Sequence, residues 1–168
     1  MGEISGLLPP EPLADRHDIV DFRSGEVSLD EWLERRARAN QASGASRTYV
    51  VCEEKRVIGY YALASGVVTV ESAPGRFRRN MPSPIPVAVL ARLAVHRDWQ
   101  GRGIGRALFR DAARRVGHAA DAIGIRGIVV HAISEDAKNF YLALGFEASR
   151  SEPMTLMATL SDIRAAFS

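Results

Sequence analysis

The stretch that decides the fold is Gln-Gly-Arg-Gly-Ile-Gly, residues Gln100–Gly105, which we call the glycine loop. It follows an apolar run, Val87–Val95, and precedes a segment whose apolar residues recur with a helical period. A chain that passes from a strand through glycines into a helix leaves backbone N–H groups and the positive end of the helix dipole at the turn. The glycine loop therefore predicts either a phosphate-binding site or a tight structural turn.

Two common nucleotide-binding motifs differ from the glycine loop. The dinucleotide fingerprint G-x-G-x-x-G needs a third glycine, and Arg106 stands at that position. A P-loop needs a lysine followed by serine or threonine, which this stretch lacks. These differences argue against both motifs.

Outside the glycine loop, the sequence predicts strands and helices in a mixed order. Ser28 and Glu31 form a capping box, which predicts a helix that reaches Asn40 and ends at Gly44. Residues 72–86 contain four prolines and predict a loop. The other predicted elements are strands at Arg47–Glu53, Val57–Ala64, Val67–Val70, Val87–Val95, Gly127–Ala132 and Thr155–Leu160, helices at 105–122 and Glu135–Leu144, and a short C-terminal helix. This order predicts a mixed α/β sheet in which the nearly all-apolar Val87–Val95 is central.

The size and composition of the chain indicate one globular domain over residues 1–168. Of its 168 residues, 46% are hydrophobic and 25% are charged, which is enough apolar material for a proper core. No apolar run approaches the ~18 residues of a membrane span, so no membrane partner is expected. Cys52 is the only cysteine, which excludes an intrachain disulfide and a cysteine metal cluster and fits a reducing cytoplasm. No metal site is predicted.

The small net charge of +2 is unevenly distributed along the chain. No acidic residue stands between Glu71 and Asp98, whereas Arg76, Arg78 and Arg79 lie inside that window, in the proline-bounded loop. These three arginines predict a site for a polyanion. The alternative is that arginine is simply the usual cation of this chain, which has only two lysines.

Two motifs resemble the GNAT superfamily of N-acetyltransferases. The glycine loop after an apolar strand is similar to the Gln-x-x-Gly-x-Gly signature of that superfamily. Asn139-Phe140-Tyr141 followed by Leu144-Gly145-Phe146 resembles its late motif. The resemblance implies the GNAT fold, from about Ser28 to Leu160, and acetyl-CoA as the co-substrate.

Three further segments resemble the TacT-type toxins of bacterial toxin–antitoxin pairs: Ala91–Val95, Phe77–Pro82 and Ala137–Tyr141. The opening from Pro12 to Leu33 is also similar, so the resemblance is nearly full-length. It implies an enzyme that acetylates the α-amino group of aminoacyl-tRNA and so inhibits translation. It also implies a homodimer and a ribbon-helix-helix antitoxin, with operator DNA bound only through that antitoxin.

The resemblance also implies roles for individual residues. Residues of the strand end and of the glycine loop would bind the pantetheine arm and pyrophosphate of acetyl-CoA, and Asn139 would hydrogen-bond it. The implied cofactor-binding residues are Leu93, Ala94, Val95, Gln100, Gly101, Arg102, Gly103, Ile104, Gly105, Arg106 and Asn139. Tyr141 would be the general acid that protonates the departing thiolate, and Arg76, Arg78 and Arg79 would hold tRNA phosphates.

Other polar and aromatic residues favour structural roles. His96 and His131, near strand ends, could relay protons but are more typical of structural histidines. Cys52 in an apolar strand, Trp32 and Trp99 are interpreted as packing residues. No obligate general base is visible, and none is needed if the acceptor is an α-amino group, which titrates near pH ~8.

Two rival functions remain open on the sequence. One is a GNAT enzyme that acetylates a small amine or a protein amino group, for which the arginines would be incidental. The other is a module that binds acetyl-CoA without turnover. The presence of the Tyr141 phenol argues against a non-catalytic module.

Overall fold

The computed structural model describes residues 7–167; residues 1–6 and 168, which the single-domain prediction includes, lie outside the described residues. The strands are β1 (Glu11–Pro12), β2 (Arg47–Glu53), β3 (Arg56–Val68), β4 (Ile85–Val95), β5 (Gly127–His131), β6 (Glu147–Ala148) and β7 (Thr155–Thr159), and the helices are α1 (Val27–Arg35), α2 (Ala37–Ser43), α3 (Gly75–Arg78), α4 (Ile104–Ala119), α5 (Glu135–Ala143) and α6 (Leu160–Phe167). Within residues 7–167, none of the helices has the length and apolar character needed to cross a membrane.

The described strands form one sheet in the order β1-β2-β3-β4-β5-β7-β6. β2 and β3 pair antiparallel, β4 and β5 pair parallel, and β5 and β7 pair antiparallel. The predicted mixed α/β sheet is therefore confirmed, and so is the central position of β4.

The tertiary contacts divide the chain into two compact units. Unit 1 contains the residues up to Ala64 together with Ala91–Ala112, and unit 2 contains Ser65–Leu90 and the residues from Ala113 onward. The elements β3, β4 and α4 each contribute residues to both units.

Unit 1 has an apolar core between α1, α2 and its strands. The buried members of this core are Leu13, Ile19, Phe22, Leu29, Leu33, Ala37, Val50, Val57, Tyr60 and Ala94. Trp32 and Cys52 pack against it half-buried, as predicted. Burial raises the pKa of the Cys52 thiol to about 11, so this thiol stays protonated and unreactive at neutral pH.

The start of α1 corrects the predicted capping box. Ser28 lies inside α1, and the N-cap residue is Glu26, which makes no capping hydrogen bond with its side chain. Instead, the Asp30 carboxylate accepts hydrogen bonds from the Ser24 N–H at 3.0 Å and the Ser24 hydroxyl at 2.6 Å. The predicted single helix is also interrupted, because Arg36 leaves helical geometry at φ −121° and separates α1 from α2.

Most of the other elements match the prediction. Gly44 ends α2 at φ +83°, a left-handed conformation that glycine adopts without strain, as predicted. β3 extends to Val68, so the first two residues of the strand predicted at Val67–Val70 belong to β3. The two-residue strands β1 and β6 were not predicted.

Unit 2 is built on β5, β7 and the first part of β4. Its core contains Ala73, Phe77, Ile85, Val87, Val129 and Met157. Phe77 belongs to α3, a one-turn helix inside the segment that was predicted as a loop. A Cβ at Gly127 would lie 2.1 Å from the Ala158 carbonyl oxygen and 2.7 Å from Cε1 of Phe77. Glycine at this position therefore lets Phe77 pack closely on the sheet.

Candidate functional site

The glycine loop has a backbone conformation that requires glycine at two positions. Gly101 and Gly103 stand at φ +79° and +83°, a region that residues with a Cβ rarely adopt. Both glycines and Arg102 are exposed, and α4 begins directly afterwards at Ile104. The Ile104 side chain is buried, so this predicted cofactor-binding residue can offer only its backbone. The first turn of a helix presents N–H groups that have no partner within the helix, which suits a phosphate.

The surroundings of Gly101 and Gly103 leave room for a ligand. A Cβ built at either glycine meets no atom within 4 Å. Close packing therefore does not require glycine at these two positions. Their positive φ does. Gly105 is half-buried, and Arg106 is exposed on the first turn of α4.

Gln100 fastens the glycine loop to the end of β4. Its side-chain amide donates hydrogen bonds to the backbone oxygens of Val95 at 2.9 Å and Ser24 at 2.7 Å. Since both amide hydrogens are used within the protein, Gln100 shapes the loop through its side chain.

The residues predicted to bind the pantetheine arm lie at the end of β4. The parallel pairing of β4 with β5 covers Ala88–Leu90, and β4 continues beyond it through Leu93, Ala94 and Val95. Ala94 is buried in the core of unit 1, whereas Leu93 and Val95 are half-buried. A strand that outruns its neighbour has backbone groups that can pair with an extended ligand.

His96 and His131, the histidines considered as proton relays, have different surroundings. His96 is 7% exposed, and its Nδ1 accepts a hydrogen bond from the Asp98 N–H at 3.1 Å. This contact caps a 3₁₀ turn at Arg97–Trp99, which supports the structural interpretation of His96. His131 is exposed, and its Nδ1 lies 3.0 Å from Oγ1 of Thr155.

Tyr141 lies buried on α5 in unit 2. The Ser134 hydroxyl accepts a hydrogen bond from the Ala137 N–H at 3.1 Å and so caps this helix. Burial raises the pKa of the Tyr141 phenol well above its ordinary value, so the phenol is protonated at neutral pH. Asn139, on the same helix, is exposed.

The spacing of the late motif has a physical cause. Gly145 takes φ +98° just after Leu144, the C-cap of α5, and turns the chain back toward the helix. The Phe146 N–H then donates to the Tyr141 carbonyl oxygen at 3.1 Å, and the two rings meet edge to face at 5.5 Å. The Leu-Gly-Phe segment thus fixes the Tyr141 ring.

The three predicted tRNA-binding arginines lie at α3 in unit 2 and differ in their surroundings. Nε of Arg76 lies 3.1 Å from an oxygen of Asp162 on α6, so this arginine already has an acidic partner. Arg78 is half-buried, and Arg79 is exposed. The acid-free window in the sequence did not reveal the pairing of Arg76, because Asp162 is distant along the chain.

Arg126, which sequence reasoning missed, holds α3 in place. Its Nε donates to the Phe77 carbonyl oxygen at 2.8 Å, and its Nη2 donates to the Arg76 carbonyl oxygen at 2.9 Å. An open cavity of about 630 Å³ lies beside this contact, and its lining includes Arg76, Arg79, Arg126, Arg164, Asp121 and Asp162. No local spacing in the sequence marks Arg126 or Arg164 as residues that line this cavity.

Comparison with known proteins defines the class of this protein. The model of the acetyltransferase (GNAT) domain matches residues 44–148. The chain therefore belongs to the GNAT family, as its two motifs predict.

Individual relatives are similar over nearly the whole chain. A tRNA-acetylating toxin of Mycobacterium tuberculosis (strain ATCC 25618 / H37Rv) is 51% identical over 162 residues, which are 96% of this chain and 98% of the relative. AtaT complexed with acetyl-methionyl-tRNAfMet has a TM-score of 0.88 at 30% identity, covering 96% of this chain and 99% of that chain. A tyrosine-to-phenylalanine variant of AtaT bound to acetyl-CoA and the C-terminus of the antitoxin AtaR has a TM-score of 0.81 at 29% identity, covering 96% and 97%.

Proposed function

We propose that this protein transfers the acetyl group of acetyl-CoA to the α-amino group of aminoacyl-tRNA and acts as the translation-inhibiting toxin of a toxin–antitoxin pair. The observation that carries the proposal is the exposed glycine loop at the start of α4, in a chain that is 51% identical to a tRNA-acetylating toxin. The arginines at α3 give the chain a basic surface that suits a nucleic-acid substrate.

The residues present fit acetyl-CoA. The open space at Gly101 and Gly103 lets phosphate oxygens approach the backbone N–H groups at the start of α4. Arg102 and Arg106 are exposed beside these groups and add positive charge for the pyrophosphate. The backbone of Leu93–Val95 would pair with the pantetheine arm. When bound, acetyl-CoA supplies an acetyl group activated as a thioester.

Tyr141 carries the proton in this proposal. During transfer the acceptor nitrogen loses one proton and the departing sulfur gains one, so no net proton is consumed. The protonated Tyr141 phenol donates to the sulfur, and the proton that leaves the nitrogen restores the phenol. Because burial disfavours the phenolate, the two proton transfers must be closely coupled. The α-amino group titrates near pH ~8 and is partly neutral without a strong base.

The proposed partners are aminoacyl-tRNA and an antitoxin. By its resemblance to TacT-type toxins, we expect the antitoxin to have a ribbon-helix-helix region that alone contacts operator DNA, and the toxin to form a homodimer. We expect the protein to act in the cytoplasm, where charged tRNA is used. Light scattering of the toxin alone, and of the toxin with its antitoxin, measures both stoichiometries.

The double variant Arg78→Ala, Arg79→Ala tests the nucleic-acid part of the proposal. We expect it to bind tRNA more weakly, and the slope of log affinity against log salt to become shallower by about 1.4–1.8 if both residues contact phosphates. Filter binding at several salt concentrations measures both effects. Acetyl-CoA affinity and acetylation of a small amine should stay unchanged. Equal losses on tRNA and on the small amine would mean that this segment is structural and would contradict the tRNA assignment.

Asp162→Asn is expected to change tRNA affinity in the opposite direction, by strengthening it. In the Arg76–Asp162 pair the arginine is exposed and the carboxylate is half-buried, so loss of the pair should change stability by no more than about 1 kcal/mol. Removing the carboxylate frees Arg76 for phosphate, so tRNA affinity should increase and the salt slope should steepen by about 0.7–0.9. An unchanged slope in Asp162→Asn would show that Arg76 does not reach the tRNA.

A further inference from the structure

One contact beside the glycine loop has no role in the proposed mechanism. The guanidinium of Arg102 lies over the Trp99 ring, with Cζ 4.6 Å from the ring centroid. Arg102 is exposed, and Trp99 is half-buried. A guanidinium within about 6 Å of an indole face is attracted to it, so Trp99 restricts where the Arg102 charge can be.

The backbone of Trp99 is held by several hydrogen bonds in and around its turn. Trp99 ends the 3₁₀ turn, and its backbone N–H donates to the His96 carbonyl oxygen at 2.8 Å. The buried His96 ring caps the same turn through Asp98. The Arg97 N–H donates to the Arg23 carbonyl oxygen at 2.8 Å, which ties the turn to the segment before α1. These bonds fix the backbone that carries the indole, directly before the glycine loop.

We propose that Trp99 is a positioning residue for acetyl-CoA, which fixes the Arg102 guanidinium where the phosphates of the ligand bind. This inference rests on the proposed binding of acetyl-CoA at the glycine loop. An exposed arginine that is already ordered does not lose its rotamer freedom when it binds a phosphate. Ordering one such side chain weakens binding by about 2–12-fold, and Trp99 removes this cost.

A double-mutant cycle on the complete protein tests the coupling of the two residues. Calorimetry with acetyl-CoA should show that Trp99→Leu weakens binding by about 2–12-fold. Arg102→Ala should weaken it by about 10-fold or more, because a charge-assisted contact is lost. Since Trp99 acts only through Arg102, the double variant should bind like Arg102→Ala alone. Trp99→Phe keeps an aromatic face and should retain most of the affinity.

Arg97→Ala is the matched control for charge. It removes an exposed arginine from the same 3₁₀ turn and leaves the Arg102 guanidinium on the Trp99 ring. The fold-losses of affinity in Arg97→Ala and Trp99→Leu should therefore multiply in the double variant. With saturating acetyl-CoA, kcat should be unaffected by Trp99→Leu, whereas KM for acetyl-CoA should rise.

Two results would overturn this inference. One is an unchanged acetyl-CoA affinity in Trp99→Leu. The other is a double variant in which the fold-losses of affinity from Trp99→Leu and Arg102→Ala multiply. That result would mean that the indole contacts the ligand directly or only stabilises the fold. A wild-type protein that does not bind acetyl-CoA would instead contradict the proposed function, so the two failures are distinguishable.

Discussion

Tyr141→Phe should lower the rate of acetyl transfer by about 10²–10⁴-fold, the usual contribution of a positioned general acid. The substitution removes only the hydroxyl and keeps the ring that packs on Phe146. Acetyl-CoA affinity should therefore change little. Single-turnover rates with saturating acetyl-CoA measure the chemical step, and calorimetry measures the affinity. A variant that keeps near wild-type single-turnover rates would show that Tyr141 is not the acid.

Tyr60→Phe is the matched control for loss of a buried phenol. The Tyr60 hydroxyl donates to the Leu29 carbonyl oxygen at 2.7 Å in the core of unit 1. Its loss should reduce the free energy of unfolding by about 0.5–1.5 kcal/mol and leave the transfer rate of the folded enzyme unchanged.

The pH dependence follows from the same residue. Burial raises the pKa of the Tyr141 phenol, so the proton-donating form persists to higher pH than for an exposed tyrosine near 10. The acceptor amine becomes reactive as it loses its proton near pH ~8. Initial rates should therefore rise from pH 6 to about 9 without a decline from phenol ionisation. A decline that begins below about pH 8 would contradict this assignment.

Gly103→Glu should weaken acetyl-CoA binding by about 100-fold or more. The new carboxylate would oppose the phosphates and displace at least two charge-assisted hydrogen bonds, each worth ~1.5–3 kcal/mol, and every 1.4 kcal/mol is tenfold in affinity. The φ of +83° adds a backbone cost of about 1–2 kcal/mol to folding. Calorimetry measures the affinity, and circular dichroism shows whether the variant is folded.

Gly44→Glu provides a matched control for strain and charge. Gly44 also stands at φ +83°, and a Cβ there also meets no atom within 4 Å, but it ends α2 rather than the glycine loop. Both variants should lose similar stability, while only Gly103→Glu loses acetyl-CoA affinity. Equal affinities in the two variants would remove the phosphate assignment from the glycine loop.

The sequence predicted the features whose causes are local. The glycine loop was recognisable because a strand that turns into a helix with positive φ requires glycine at Gly101 and Gly103. The late motif was recognisable because Gly145 turns the chain so that Phe146 packs on Tyr141, five residues earlier in the chain. In both cases neighbouring residues determine the geometry.

The features that escaped prediction depend on distant partners or on weak local signals. Asp162 and Arg126 contact α3 from remote parts of the chain, so nothing near the arginines indicates them. The strands β1 and β6 are too short to show alternation and exist through pairing with β2 and β7. Ser28 and Glu31 match a capping box by spacing alone, whereas the bond at this helix start joins Ser24 to Asp30.

The most direct test of the central claim is transfer of a labelled acetyl group from acetyl-CoA to purified acceptors. The acceptors are charged tRNA, the same tRNA without its amino acid, and a small primary amine. We predict that charged tRNA is labelled and that the tRNA without its amino acid is not. Mild base should release the label as an N-acetyl amino acid, and Tyr141→Phe should lose this labelling. Label on the small amine with none on charged tRNA would contradict the account.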